Sequence, residues 1–108
     1  MDAALLALCN QTVTRTPFLK YDEHNDFEWD TDNPTTFVAR IEFSNKLVRD
    51  QQGQEIVSTC QIYCNGDVVI DERDKISATG LRADPEIIAI QQNPDENGNI
   101  DHKVIFTR

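Results

Sequence analysis

Several things are scarce in this chain, and each scarcity closes off a class of protein. Only 10 of the 108 residues are Lys or Arg, against 19 Asp or Glu, for a formal net charge of -9. A surface that grips nucleic-acid phosphates needs clustered bases, so the body of this protein is not such a surface. An acidic wall repels a phosphate backbone at distances near the Debye length, on the order of 10 Å at 0.1 M salt, and so lets DNA pass without holding it. Long hydrophobic runs are missing too. None approaches the roughly 18 apolar residues that span a membrane, and no membrane partner is expected. The opening Met1-Asp2-Ala3-Ala4-Leu5-Leu6-Ala7-Leu8 has an acid where an export signal places a base, so the expected site of synthesis is the cytoplasm.

Catalytic signals are equally thin. There is no glycine-rich phosphate loop, no HExxH and no nucleophile elbow. The two histidines, His24 in an acidic loop and His102 at the start of a strand pattern, read as surface residues. Asp67, Asp71 and Asp74 are read as turn acids, with Asp74 capping a local bend. The run Asp95-x-Asn97-x-Asn99-x-Asp101 opens like a calcium loop, but its sixth and twelfth positions are Ile100 and Phe106 rather than Gly and Glu. The chain is therefore read as non-enzymatic, with no metal and no cofactor.

Three cysteines, Cys9, Cys60 and Cys64, make an odd set. Cys60 and Cys64 fall four apart on what reads as one strand, which separates their Cα atoms by about 13 Å, whereas a disulfide spans at most about 7 Å. All three read as small apolar fillers in a reducing compartment.

What is present is a sequence of short alternating segments. A length of 108 residues argues for one domain. Asp2 can cap a short helix through about Cys9, apolar nearly all round, that packs on an end of the sheet or docks on another subunit. Thr12–Thr16 reads as a first strand, ended by Pro17. Tyr21–Thr36 is acidic and turn-rich, with Phe27 and Trp29 spaced to share one face of a short strand. Phe37–Phe43 alternates cleanly, with Phe37, Ala39, Ile41 and Phe43 on one side. Lys46–Asp50 continues extended, Gln51-Gln52-Gly53-Gln54 makes a hairpin tip with Gly53 at positive φ, and Ile56–Cys64 returns with Ile56, Ser58, Cys60, Ile62 and Cys64 in one stripe. After an Asn65-Gly66 turn come Val68–Ile70, Ile87–Ile90 and His102–Thr107.

Six or seven short strands predict a mainly β protein: a small β-barrel or sandwich with a short N-terminal helix and a projecting hairpin loop. The expected division is a helical arm over 1–11 and a barrel over 12–108, with the loop at 43–56. Lys46 and Arg49 flank Leu47-Val48 just before the tip. On an acidic body they offer local positive charge to DNA or to a neighbouring subunit.

Three stretches carry a family resemblance. They are Val38-Ala39-Arg40-Ile41-Glu42 followed by Val48 to Ser58, Gly66 to Ile76 with its Asp74-Lys75-Ile76 "D-[RK]-I" step, and Ile87–Ile90 with Asp95–Gly98, His102 and Val104–Arg108, including a Gly98-to-His102 "G-x-x-x-H" spacing. Their order resembles the stopper, or head-closure, family of phage head-to-tail connectors, over roughly Val13–Arg108. The chain departs from that pattern at Ala78–Glu86, where Pro85-Glu86 replaces a glycine turn and an aromatic, and at its apolar N-terminus.

The resemblance implies a virion neck protein: a β-barrel that forms a homo-oligomeric ring, about six or twelve subunits, beneath the portal and its adaptor. Such a ring retains packaged double-stranded DNA and docks the tail terminator or tail tube. The channel-gating loop would then carry Lys46, Arg49, Asp50, Gln51 and Gln52, and partner docking would fall to Leu5, Leu6, Leu8, Phe27 and Trp29. The alternatives are another neck or tail-completion protein, such as a tail terminator, or a free-standing OB-like or SH3-like binding module.

Overall fold

A computed structural model describes residues 9–50, 52–81 and 85–108. Ten strands follow in chain order: β1 (Gln11–Thr16), β2 (Phe18–Tyr21), β3 (Phe27–Trp29), β4 (Thr35–Glu42), β5 (Lys46–Arg49), β6 (Glu55–Ser58), β7 (Cys60–Asn65), β8 (Lys75–Ser77), β9 (Ile87–Pro94) and β10 (Ile100–Thr107). Six of them form one antiparallel sheet in the order β8-β1-β4-β7-β10-β9, while β2-β3 and β5-β6 are separate two-stranded hairpins. The large sheet curls into a half-barrel. It has two edges, β8 and β9, so the expected mainly β class holds but the barrel is not closed.

Alternation decides which face of the sheet is inside. Registered pairs place Ile41 opposite Ile62, Ile62 opposite Ile105, and Ile105 opposite Ile90, so four isoleucines run in one row across β4, β7, β10 and β9. Ile62 and Ile105 are wholly buried. Cross-strand β-branched pairs of this kind are the unit from which a sheet draws its stability. Val13, Ala39, Cys60, Cys64, Ile76 and Ile87 complete the core, with Phe37, Val68 and Ile70 packed against it. The predicted stripe Ser58-Cys60-Ile62-Cys64 is buried as read, and the three cysteines are buried thiols.

Several expectations are corrected. Six or seven strands were predicted and ten are found among the described residues. Ile56–Cys64 is not one strand: it breaks at Thr59, whose N–H donates to Thr107 O at 3.0 Å, so β6 leaves for a different sheet from β7. Among the described residues Val68–Ile70 pairs with no strand: the Val68 N–H donates to Asn65 O in the turn and its carbonyl accepts from Lys103 Nζ at 2.6 Å. Phe43 lies beyond the end of β4 and is 63% exposed rather than inside. Asn65-Gly66 is a turn, as read. Gly66 is not at positive φ; a Cβ there would stand 1.8 Å from Ile100 O, so glycine is required by close backbone approach.

The predicted helix with Leu5, Leu6 and Leu8 lies outside the described residues apart from its end. Among the described residues there is no helix: Cys9 is irregular and Gln11 already begins β1, one residue inside the predicted arm.

Candidate functional site

Two hairpins stand off the large sheet, and residues of both line one groove. The first, β5-β6, pairs Lys46 with Ser58, Leu47 with Val57, Val48 with Ile56, and Arg49 with Glu55. Its inner face carries half-buried Val48 and Ile56. Its outer face leaves Leu47 65% and Val57 50% exposed, an apolar cross-strand pair open to solvent.

The base of this hairpin is fixed by a buried polar cluster. The Gln61 amide accepts from Ser44 Oγ at 2.5 Å and donates to Ser44 O at 3.0 Å and to Ser58 Oγ at 3.1 Å. Ser58 Oγ, with one proton to give, lies 2.8 Å from Thr107 O and 3.0 Å from Cys60 O. Ser58, Gln61 and Thr107 are almost fully buried, and among the described residues no buried side-chain polar atom lacks a partner. A satisfied buried network holds its members in one arrangement, and here it ties both ends of the hairpin to the sheet.

The predicted loop residues take different roles. Lys46 is exposed, with Nζ 3.4 Å from the Tyr63 hydroxyl. Arg49 is exposed and faces Glu55 across the hairpin at 3.8 Å. Asp50 is a turn-former: its Oδ1 accepts from Gln52 N at 3.0 Å and Gln54 N at 2.9 Å, while Gly53, at φ 79°, donates to Asp50 O. Gln52 is exposed at the tip; Gln51 lies outside the described residues.

The same five-residue closure occurs twice more. Asp22 Oδ1 accepts from His24 N and Asp26 N around Asn25 at φ 62°, and Asp95 Oδ1 accepts from Asn97 N and Asn99 N around Gly98 at φ 82°. In each loop the aspartate satisfies two backbone donors that the turn would otherwise leave open. The segment with calcium-loop spacing is therefore a hairpin connection whose first carboxylate is already held by its own backbone.

The second hairpin, β2-β3, is an aromatic miniature. Phe18 lies edge-to-face on Tyr21 and Phe27, Tyr21 on Phe27, and Phe27 on Trp29, with ring centroids 5.1 to 6.2 Å apart. Phe27 and Trp29 do share one face, as their spacing predicts. Trp29 is pinned, donating from Nε1 to Arg73 O at 2.8 Å with Lys75 Nζ 5.5 Å from its ring centroid. Arg73 lies over Phe18 at 4.3 Å.

The turn before β8 joins this hairpin to the sheet. Asp74, 6% exposed, accepts from Arg15 Nε at 2.5 Å, Phe18 N at 2.7 Å and Asp71 N at 2.8 Å. It is a bend cap, as predicted, yet it is buried and not solvated. Hydrogen bonds from the Arg73 side chain, then from its backbone N–H, lower the Asp71 pKa, and the same contact raises that of Arg73.

Between the two hairpin tips lies a groove of about 560 Å³ that reaches Asp50 and Gln52 on one side, Phe27 and Trp29 on the other, and buried Ile87 and Ile88 of β9. Residues assigned separately to gating and to docking thus share one concavity. Sequence alone missed Tyr21, Glu72, Arg73 and Lys75 around it; a three-residue step from Phe18 to Tyr21 reads as opposite faces of a strand, and the register shift between Phe18 and Lys20 accompanies the meeting of the two rings. His24 is exposed near Glu23, and His102 Nδ1 lies 2.9 Å from Asp101 Oδ2. No protein-family model and no curated protein matches the chain.

Proposed function

We propose that this chain is a structural subunit of a phage neck, a head-tail connector of the stopper kind that acts as a ring below the portal and its adaptor, retains packaged DNA and docks the tail. The ordered short motifs from Val38 to Arg108 motivate the assignment. The observation that carries it furthest is the β5-β6 hairpin, which stands outside the six-stranded sheet, is anchored at its base by the Ser44-Ser58-Gln61-Thr107 cluster, and leaves Leu47 and Val57 unburied beside Lys46 and Arg49. In a monomer this pair supports only its own hairpin and leaves apolar surface in water. In a ring, where each subunit meets the next through two different patches, the pair has a surface to cover and many weak contacts add up. The acidic body suits a conduit that DNA slides through, and the two bases suit a tip that meets its end.

The test is electron microscopy of particles made without this protein. Tail-less heads that leak DNA are the expected result. Filled heads with abnormal tails would instead assign the chain to tail termination, and normal particles would overturn the connector assignment.

A further inference from the structure

We propose that the groove between the two hairpin tips binds an extended, basic segment of a different polypeptide, one that alternates apolar residues with Lys or Arg. This rests on that part of the connector assignment which gives Phe27 and Trp29 to a partner, and it adds the chemistry of the occupant. The groove is apolar within, through Ile56, Ile87, Ile88 and Trp29, and Phe27 is 43% exposed along it. Its charges decide the sign of what enters. Four carboxylates and two cations line it, and most are already engaged: Asp74 with Arg15, Glu86 with Arg108, Arg73 with Asp71, and Lys75 over Trp29. Glu72 has no cationic partner among the described residues, and the Asp50 carboxylate meets only the N–H groups of its own turn.

The free charge of the groove is thus negative, beside aromatic rings whose faces attract cations. An ammonium or guanidinium seated against Phe27 and paired with Glu72 answers both features, and neighbouring apolar side chains cover half-buried Ile56 and the exposed part of Phe27. Contacts between copies of this chain are assigned to the outer face of β5-β6, which leaves the groove to a different polypeptide.

Trp29 is the single tryptophan, so its fluorescence reports on the groove directly. The full chain is titrated with an N-acetylated peptide alternating Lys and Leu, and with a matched peptide alternating Glu and Leu, at physiological salt. Saturable change in Trp29 emission is expected with the Lys peptide only. Phe27→Ala is expected to weaken it about tenfold and Glu72→Gln several-fold, whereas Glu96→Gln, in the distant β9-β10 turn, leaves it unchanged. Glu72→Gln alters one half-buried turn charge and keeps the test open if Phe27→Ala does not fold. No response to the Lys peptide, equal response to the Glu peptide, or equal weakening by Glu96→Gln and Glu72→Gln would overturn the proposal. Because the measurement uses the isolated chain, failure here leaves particle DNA retention to judge the connector role separately.

Discussion

Arg15 and Asp74, 59 residues apart in sequence, meet at 2.5 Å with their side chains 16% and 1% exposed. Register explains why. Arg15 pairs with Ile76 across β1-β8 and lies two residues from wholly buried Val13, so strand alternation turns an arginine toward the core. A buried cation without a counter-charge is strongly unfavourable. Asp74 answers it and, with the same carboxylate, caps Phe18 N and Asp71 N. One residue thereby fixes β1, the start of β2 and the turn into β8.

Asp74→Asn keeps the shape but leaves Arg15 without its counter-charge. A loss of about 3 kcal/mol is expected, measured by urea unfolding. Arg40→Gln, which breaks the exposed Arg40–Glu42 contact, should cost under about 1 kcal/mol. Equal losses would show that the Arg15–Asp74 pair has no special weight.

Glycine substitutions separate two physical causes. At Gly66 an added Cβ meets the Ile100 backbone, and Gly66→Ala should destabilise by about 3 kcal/mol, at the upper end for overpacking. At Gly98 nothing lies within 4 Å but φ is 82°, so Gly98→Ala should lose only about 1 kcal/mol from strain. Thermal unfolding of the two variants distinguishes them by order.

Lys46→Glu with Arg49→Glu tests the hairpin tip. Both residues are exposed, so folding measured by circular dichroism should be unchanged, while particles carrying the variant should lose packaged DNA. Wild-type retention would remove these bases from the gate.

Leu47→Ser with Val57→Ser tests the outer face of the same hairpin. Burying no core atom, the pair should shift monomer stability by under about 1 kcal/mol and abolish incorporation into particles, read by gel analysis of purified virions. Normal incorporation would show that this face is not an interface.

The thiols give a pH dependence. Burial raises the Cys60 pKa, and raises Cys64 from 9.0 to about 11. The folded state therefore keeps a proton that the unfolded state releases. This contribution to stability is full below about pH 9 and falls as pH rises through the folded value near 11. Urea midpoints should be level from pH 7 to 8.5 and then drop, and Cys64→Ala should flatten that alkaline drop while lowering the plateau.

Much of the wall was legible in advance because period-two alternation is a strong signal: Ala39, Ile41, Cys60, Ile62 and Cys64 are inside as read. What failed to show was anything set by a distant partner. Thr59 breaks its strand because Thr107 O takes its N–H, and Val68 lies outside the ladder with its carbonyl taken by Lys103. The acidic excess misled in a similar way. Asp22 read as part of a solvated acidic loop, Asp50 as a gating acid and Asp95 as the start of a long turn with partial calcium-loop spacing, and each closes a hairpin. The groove was invisible because its two sides, near residues 27–29 and 50–52, are brought together only by the fold.

β10 follows both β7 and β9 in the chain but lies between them in the sheet. Until that stave is threaded, Ile62 lacks one neighbour and Ile90 has no strand beside it. Closing the sheet therefore awaits a segment some forty residues downstream of β7, a long-range pairing of the kind that slows folding. Shortening the polypeptide within Ile100–Thr107 would cut β9 loose and bare the flank of β7, leaving a four-stave remnant with a sticky side in place of one trimmed edge.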